Sequence, residues 1–189
     1  MLRLSIIGCL IAGVFTQSFN ARQCPHIPVE PVDPNRMVGE WWEYQRSSNN
    51  WDNVESCAKM YWNKVENGVL KVVFTDISSL INDNSTVASE IAMENNALYV
   101  TVHLPILGPI KKKHYVLETD YDNYAIMWAC EYQGSQYTTF AWVKTRDRFP
   151  KFDIDRIVRR AFLKRGLPLV PMTTINQDNC PERICYLSN

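Results

Sequence analysis

The sequence predicts an all-β protein, an eight-stranded antiparallel up-and-down β-barrel with one C-terminal α-helix packed outside it. Three observations predict it. From Met37 to Arg148, short apolar and aromatic runs alternate with turn residues and show little helical periodicity. Asn67-Gly68, Asn95-Asn96 and Asp122-Asn123 fall between neighbouring runs, where a meander of antiparallel strands needs tight turns. After Arg148 the period changes to that of a helix, and eight strands in succession suit a closed barrel.

Residues 1–18 hold one early arginine, an apolar run from Ile6 to Phe15, and then Thr16, Gln17 and Ser18. This is the pattern of a secretory signal peptide, and the apolar run falls short of the about 20 residues that span a bilayer. The expectation is an extracellular, secreted protein whose mature part, residues 19–189, is one domain. With 46% hydrophobic and 12% aromatic residues it has enough apolar material for a real core.

Pro25, Pro28, Pro31 and Pro34 give the first mature segment the character of an extended strap that cannot join a sheet interior. Strands are expected at residues 39–45, 57–65, 69–77, 86–93, 97–104, 114–119, 124–131 and 136–144. In the first of them Gly39, Trp41 and Glu43 share one face, and Trp41 is placed to close the floor of a small barrel. Beyond the strands, Asp153 or Asp155 caps a helix that carries Ile154, Ile157, Val158, Ala161 and Phe162 at helical spacing and ends at Gly166 and Pro168. Its apolar stripe must cover the outside of the barrel, where Ile126, Trp128, Ala141 and Val143 supply an apolar face. Arg156, Arg159, Arg160 and Lys164 give it a solvated basic side.

Twenty basic residues balance twenty acidic ones, so no global field favours nucleic acid as a partner. No metal-ligand cluster or phosphate loop stands out in the sequence. Without the leader, Cys24, Cys57, Cys130, Cys180 and Cys185 remain, which implies disulfides in an oxidising compartment and one thiol left over. Cys185, almost at the chain end, is the candidate for that thiol, available to another chain or a small thiol. Asn84-Ser85-Thr86 is a glycosylation sequon, expected in a loop and modified at Asn84.

Thr119-Asp120-Tyr121 stands on the turn between the sixth and seventh strands, and Arg146 ends the eighth. With Gly39-Glu40-Trp41 these make three motifs in order and at barrel-compatible spacing. Together with Cys24-Pro25 at the head and Asn179-Cys180-Pro181 near the tail, they make a chain that resembles the lipocalins, in particular the apolipoprotein D-like members, with arthropod bilin-binding and pigment-carrier lipocalins close by. The likeness spans essentially the whole mature chain. It implies a structural role, barrel closure, for Gly39, Trp41, Thr119, Asp120, Tyr121 and Arg146. The Arg146 guanidinium would lie over the Trp41 indole, a cation–π contact of about 0.5–2 kcal/mol. The resemblance also implies the disulfides Cys24–Cys130 and Cys57–Cys180, each closing a loop of about a hundred residues and contributing roughly 4–5 kcal/mol in the chain-entropy model.

With Cys57 and Cys130 bonded to partners outside the barrel, the opposite parity on their strands faces inward. That places Ala58, Met60, Trp62 and Lys64 inside from the second strand, and Ala125, Met127 and Ala129 from the seventh. The same alternation puts Val100 and Val102, Tyr115 and Leu117, and Phe140 and Trp142 inside. Met60, Trp62, Val100, Val102, Tyr115, Leu117, Met127, Phe140 and Trp142 are therefore the candidate ligand-binding residues, and the resemblance places Trp62, Val102, Tyr115 and Trp142 on the pocket wall. An apolar, aromatic interior with few charges favours a small hydrophobic ligand such as a fatty acid, retinoid, steroid or bilin, with no cofactor required.

The expected function is a secreted carrier; the alternative is a secreted interaction or inhibitor protein that works through its open-end loops. A lipocalin-type isomerase has less support, because it would use an inward cysteine thiolate and the second strand offers none, so no catalytic residue is assigned. The histidines are not placed as haem ligands either: His26 lies in the strap, His103 has outward parity, and His114 is expected near the rim. Residues 104–110 read as an apolar loop at the open end, followed by Lys111, Lys112 and Lys113. Its aliphatic residues either fold down as a lid over the cavity or, through Ile106 and Leu107 as candidates, touch a membrane or lipoprotein surface.

Overall fold

The structure, a computed structural model, describes residues 23–49, 54–66, 69–78, 83–104, 108–133 and 136–180. Residues 1–18, Cys185 and the pair Ile106 and Leu107 lie outside the described residues. After a short helix α1 (Pro34–Met37) come eight strands: β1 (Gly39–Ser47), β2 (Val54–Glu66), β3 (Val69–Ser78), β4 (Asp83–Glu94), β5 (Ala97–Leu104), β6 (Gly108–Thr119), β7 (Tyr124–Gln133) and β8 (Gln136–Thr145). Each pairs antiparallel with the next, and β1 pairs with both β8 and β2, which closes the barrel. Helix α2 (Ile154–Leu163) and a three-residue strand β9 (Met172–Thr174) follow.

Local chemistry sets these boundaries. Asn95 and Asn96 both take positive φ, 50° and 62°, and so make the mirror-image turn whose twist suits the β4–β5 hairpin. Asp153 rather than Asp155 caps α2, its carboxylate accepting from the Arg156 amide at 3.0 Å. Asp155 instead accepts from Gln45 Nε2 at 3.0 Å and ties the first turn of the helix to β1. The strap is not extended throughout: Asp33 caps α1, with Pro34 in the first turn where a missing N–H costs nothing, and Met37 is buried at the barrel floor.

The apolar residues form two layers separated by the barrel wall. The inner one joins Trp41, Met60, Trp62, Leu70, Leu98 and Met127. The outer one joins Ile154, Val158, Ala161 and Phe162 of α2 to Ile126, Trp128, Ala141 and Val143, the face expected for it. Beside this contact the carboxylate of Glu118 bonds Arg160 of the helix and the Tyr124 hydroxyl. Burial raises the Glu118 carboxyl, but those two donors outweigh it and hold the group below the ordinary carboxylate range.

Three boundaries differ from the sequence reading. Leu104 pairs with Gly108, so β6 starts six residues earlier than expected and the three lysines belong to the sheet, not to a loop. Lys111 lies 4.6 Å over the Tyr99 ring, and Lys113 lies 5.0 Å over the Tyr115 ring, so aromatic faces cover the lysine stems on the outside. Asn84 also lies in a strand: it is exposed near the start of β4, opposite Ile77, and not in a loop. Third, β9 pairs with Gln45, Arg46 and Ser47 and fills the gap where β1 parts from β2.

Candidate functional site

The closed end is built around Trp41. Its indole N–H donates to the Met37 carbonyl at 2.8 Å, and the Arg146 guanidinium lies 3.8 Å from its ring centroid. Arg146 also donates to the carbonyls of Tyr121 (3.0 Å), Glu40 (2.9 Å) and Arg36 (3.1 Å), and so ties the β6–β7 turn, β1 and α1 together. Gly39 has φ +107°, and a Cβ there would lie 3.1 Å from Arg146 Nη1, so both backbone and space require glycine. In the turn, Thr119 Oγ1 donates to the Tyr124 carbonyl and Asp120 accepts from the amides of Asn123 and Tyr124. Burial raises the Asp120 carboxyl, but those amide donors and the Asn123 side chain outweigh it and lower its pKa.

Two disulfides pin the ends of the chain. Cys24–Cys130 holds the strap to β7, and Cys57–Cys180 holds the tail to β2. The tail is further fixed by Gln177, whose Nε2 donates to the carbonyls of Glu43 (2.8 Å) and Ala58 (3.0 Å).

Above the floor the lumen differs from the expected one in three respects. Tyr115 and Leu117 face outward: Tyr115 pairs with Trp128, and both pack in the layer under α2. Their place inside is taken by His114 and Val116, because a bulge at Leu117 sets two residues of β6 against one of β7 and reverses the parity counted from the closed end. A second bulge, at Tyr44, turns Gln45 out toward the helix and Arg46 in toward Trp142. Lys64 is exposed rather than inward, beyond a register shift between Trp62 and Val65.

The interior is consequently not poor in charge. The carboxylate of Glu43, fully buried, bonds both Arg46 and Lys144, themselves buried. Nearer the mouth, Lys112 shares the inner face with His114 and bonds both carboxylate oxygens of Glu131 at 2.8 and 2.7 Å. The expectation for His114 is also corrected, since its imidazole is not a solvated rim group. It stands edge-on to the Trp142 ring at 5.1 Å, and its Nδ1 is sealed from solvent with no hydrogen-bond partner among the described residues. Burial first, then the charges of Lys112 and Lys144, push it down to about 4. His26 and His103 are exposed.

The remaining candidates stand where alternation puts them. Met60, Trp62 and Met127 belong to the inner layer, with Val100 and Trp142 packed against it. Val102 pairs with Ser89 and Ile110 two residues further along the same face, and Phe140 lies beside Trp142 at 6.2 Å. Accessibility varies along this wall. Trp41, Trp62, Leu70 and Leu98 are sealed, whereas Phe74, Val100, Val102, His114 and Trp142 keep some accessible surface while facing inward. That gradient is the mark of a lumen above a filled base. The lumen has two unlike sides: an apolar wall from β2 to β5, where Phe74, Met93 and Val100 stand, and a polar column on β1, β6, β7 and β8. Arg46, Lys112 and His114 were missed because each depends on a bulge or on a strand longer than its turn signals suggest, whereas Glu43 stands on the face shared with Trp41 that the alternation gave it.

Barrel, floor and motifs together define a lipocalin. Residues 38–179 match the model of the Lipocalin / cytosolic fatty-acid binding protein family, and the chain belongs to that family. Among its relatives, apolipoprotein D of Mus musculus is 24% identical, covering 96% of this chain and 99% of that protein. The bilin-binding protein of Pieris brassicae is likewise 24% identical, covering 97% and 98%. Among solved structures, insecticyanin from the tobacco hornworm Manduca sexta superposes with a TM-score of 0.70 at 16% identity, covering 83% of this chain and 87% of that one.

Proposed function

We propose that this protein is a secreted carrier that holds a small hydrophobic molecule in the lumen of its barrel. The observation that carries the reading is the inward, partly accessible Trp142, stacked beside Phe140 and facing the apolar side of the barrel. An aromatic side chain left partly open inside a closed barrel is surface that a ligand gains by covering. Val100, Val102, Met127, Phe140 and Trp142 are the proposed wall, Met60 and Trp62 its base. Family membership supports the carrier reading, and the name of the Pieris relative supports testing a bilin among the expected classes. Export is supported by the leader sequence and by two disulfides, which persist in oxidising compartments. The exposed Asn84 is the proposed glycan site, tested by a glycosidase mass shift.

The direct test is titration of the protein with biliverdin, a retinoid and a long-chain fatty acid while tryptophan emission is followed. Saturable quenching by at least one of them, weakened in Trp142→Ala, is the expected result. No saturable response to any, in protein shown to be folded, would reject the carrier reading.

A further inference from the structure

The chain is neutral as a whole, but its basic residues are unevenly spread. Residues 151–165 hold six of the 20 basic side chains and only two of the 20 acidic ones, so the segment around α2 carries a local surplus. Both acids are engaged elsewhere: Asp153 accepts from the Arg156 amide as the helix cap, and Asp155 accepts from Gln45 of β1. Arg156 and Arg159 stand three and four residues beyond them, at the spacing where helical ion pairs form, yet both are exposed and form none among the described residues. Lys164 is likewise exposed and unpaired there, and Arg160 alone of these helix cations holds a carboxylate, that of Glu118.

The helix gathers these cations on one side. Ile154, Val158, Ala161 and Phe162 are buried against the barrel. At helical periodicity the opposite side carries Arg156, Arg159 and Leu163, with Lys164 at its end. Leu163 is 65% exposed, between the two arginines and the lysine on the outermost line of the helix. One exposed leucine is ordinary on a soluble protein. Here, however, four large apolar side chains are exposed among the described residues, and three of them, Phe149, Leu163 and Leu169, belong to the segment that carries α2. The surface therefore combines uncompensated cations with exposed hydrocarbon.

That combination selects the partner. A sulfated polysaccharide or a nucleic acid would meet the cations and leave the leucine in water. A bilayer with anionic head groups meets both, the phosphates and carboxylates at its surface and the acyl chains just beneath. With ten residues, α2 is too short to span a bilayer, and its apolar stripe is already used on the barrel, so contact is at the surface. We infer that the outer face of α2 docks this protein on an anionic phospholipid surface, with Arg156, Arg159 and Lys164 on the head groups and Leu163 set between them. The contact uses no residue of the lumen, so it stands or falls apart from the carrier reading.

The test is flotation of the full chain with vesicles of phosphatidylcholine alone and of phosphatidylcholine with phosphatidylserine. Binding is expected only to the second, weakening as salt is raised. Each cation removed should weaken it about fivefold, so Arg156→Ser/Arg159→Ser should lose roughly tenfold or more, whereas Arg156→Lys/Arg159→Lys keeps it. Leu163→Ser should weaken it as well, at unchanged vesicle charge. All these positions are exposed, and an unchanged urea midpoint shows each variant folded. The variant Ile106→Asp/Leu107→Asp should bind like the native protein. No binding to the phosphatidylserine vesicles, equal binding to both kinds, or binding undiminished in either serine variant overturns the proposal. Loss in the Ile106→Asp/Leu107→Asp variant alone overturns it in favour of that loop, and retention on heparin without vesicle binding overturns it in favour of a polysaccharide.

Discussion

Arg146 lies flat over Trp41, 3.8 Å from the ring centre, and spends its remaining donors on three backbone carbonyls from three different segments. The pair is therefore a clasp rather than a packing contact. Arg146→Met keeps the side-chain stem but loses the cation–π contact and leaves the carbonyls of Tyr121, Glu40 and Arg36 without this donor. Urea unfolding should show a loss of roughly 2–3 kcal/mol. Gly39→Ala should also destabilise, through its φ of +107° and the 3.1 Å approach to Arg146 Nη1. The double variant should lose less than the sum of the two, because both changes disturb one contact.

Most of the fold was legible because it rests on short-range signals. Paired asparagines made the β4–β5 turn, Asp153 capped α2, and the outward row of Ile126, Trp128, Ala141 and Val143 met the helix stripe. The floor was legible because Gly39, Trp41 and Arg146 are constrained by backbone and by size. The lumen was only partly legible. Alternation is reliable until one residue is inserted, and the bulges at Tyr44 and Leu117 leave no mark in composition; each reverses the faces beyond it. Lys112 and His114 were read as rim residues because the proline and glycine before them resemble a loop, although they continue into β6.

The two disulfides join residues 106 and 123 positions apart, and each fixes a terminal segment to a strand. Non-reducing peptide mapping should recover Cys24 linked to Cys130 and Cys57 linked to Cys180. Replacing either pair with alanine should cost about 2–5 kcal/mol. Loss of Cys57–Cys180 should also loosen the tail that Gln177 holds to β1 and β2, seen as faster exchange of the amides at positions 175 and 57. Exchange unchanged at both amides would show that hydrogen bonds alone retain the tail.

Glu43 is fully buried and serves two buried cations at once, Arg46 on its own strand and Lys144 on β8. Glu43→Gln removes the charge that offsets them while nearly keeping the shape. The expected cost is roughly 3–5 kcal/mol, read from chemical denaturation, because two cations then share an interior without this carboxylate. Lys144→Met should cost less, since Glu43 keeps Arg46. A Glu43→Gln protein as stable as the native one would mean that water reaches the cluster and screens it.

His114 makes stability depend on pH in a window set by its own shift. In the unfolded chain its imidazole takes a proton near 6.5, and in the folded barrel only near about 4. Between those values the unfolded chain binds more protons, so stability rises with pH through the window and is lost as pH falls through it. The contribution is complete above about pH 6.5 and amounts to at most about 3–4 kcal/mol. The groups that face the ring are Lys112 on its own strand, Lys144 on β8, and their carboxylate partners Glu131 on β7 and Glu43 on β1. Glu118 and Asp120, whose carboxyls are also held low, add their own loss only as pH falls below the ordinary carboxylate range. Urea midpoints of the ligand-free protein should therefore fall between pH 6.5 and 4, and His114→Phe should flatten that limb while keeping the steeper fall below it. If the slope above pH 4 is the same in both proteins, His114 titrates as a solvated group and its placement in the lumen is wrong.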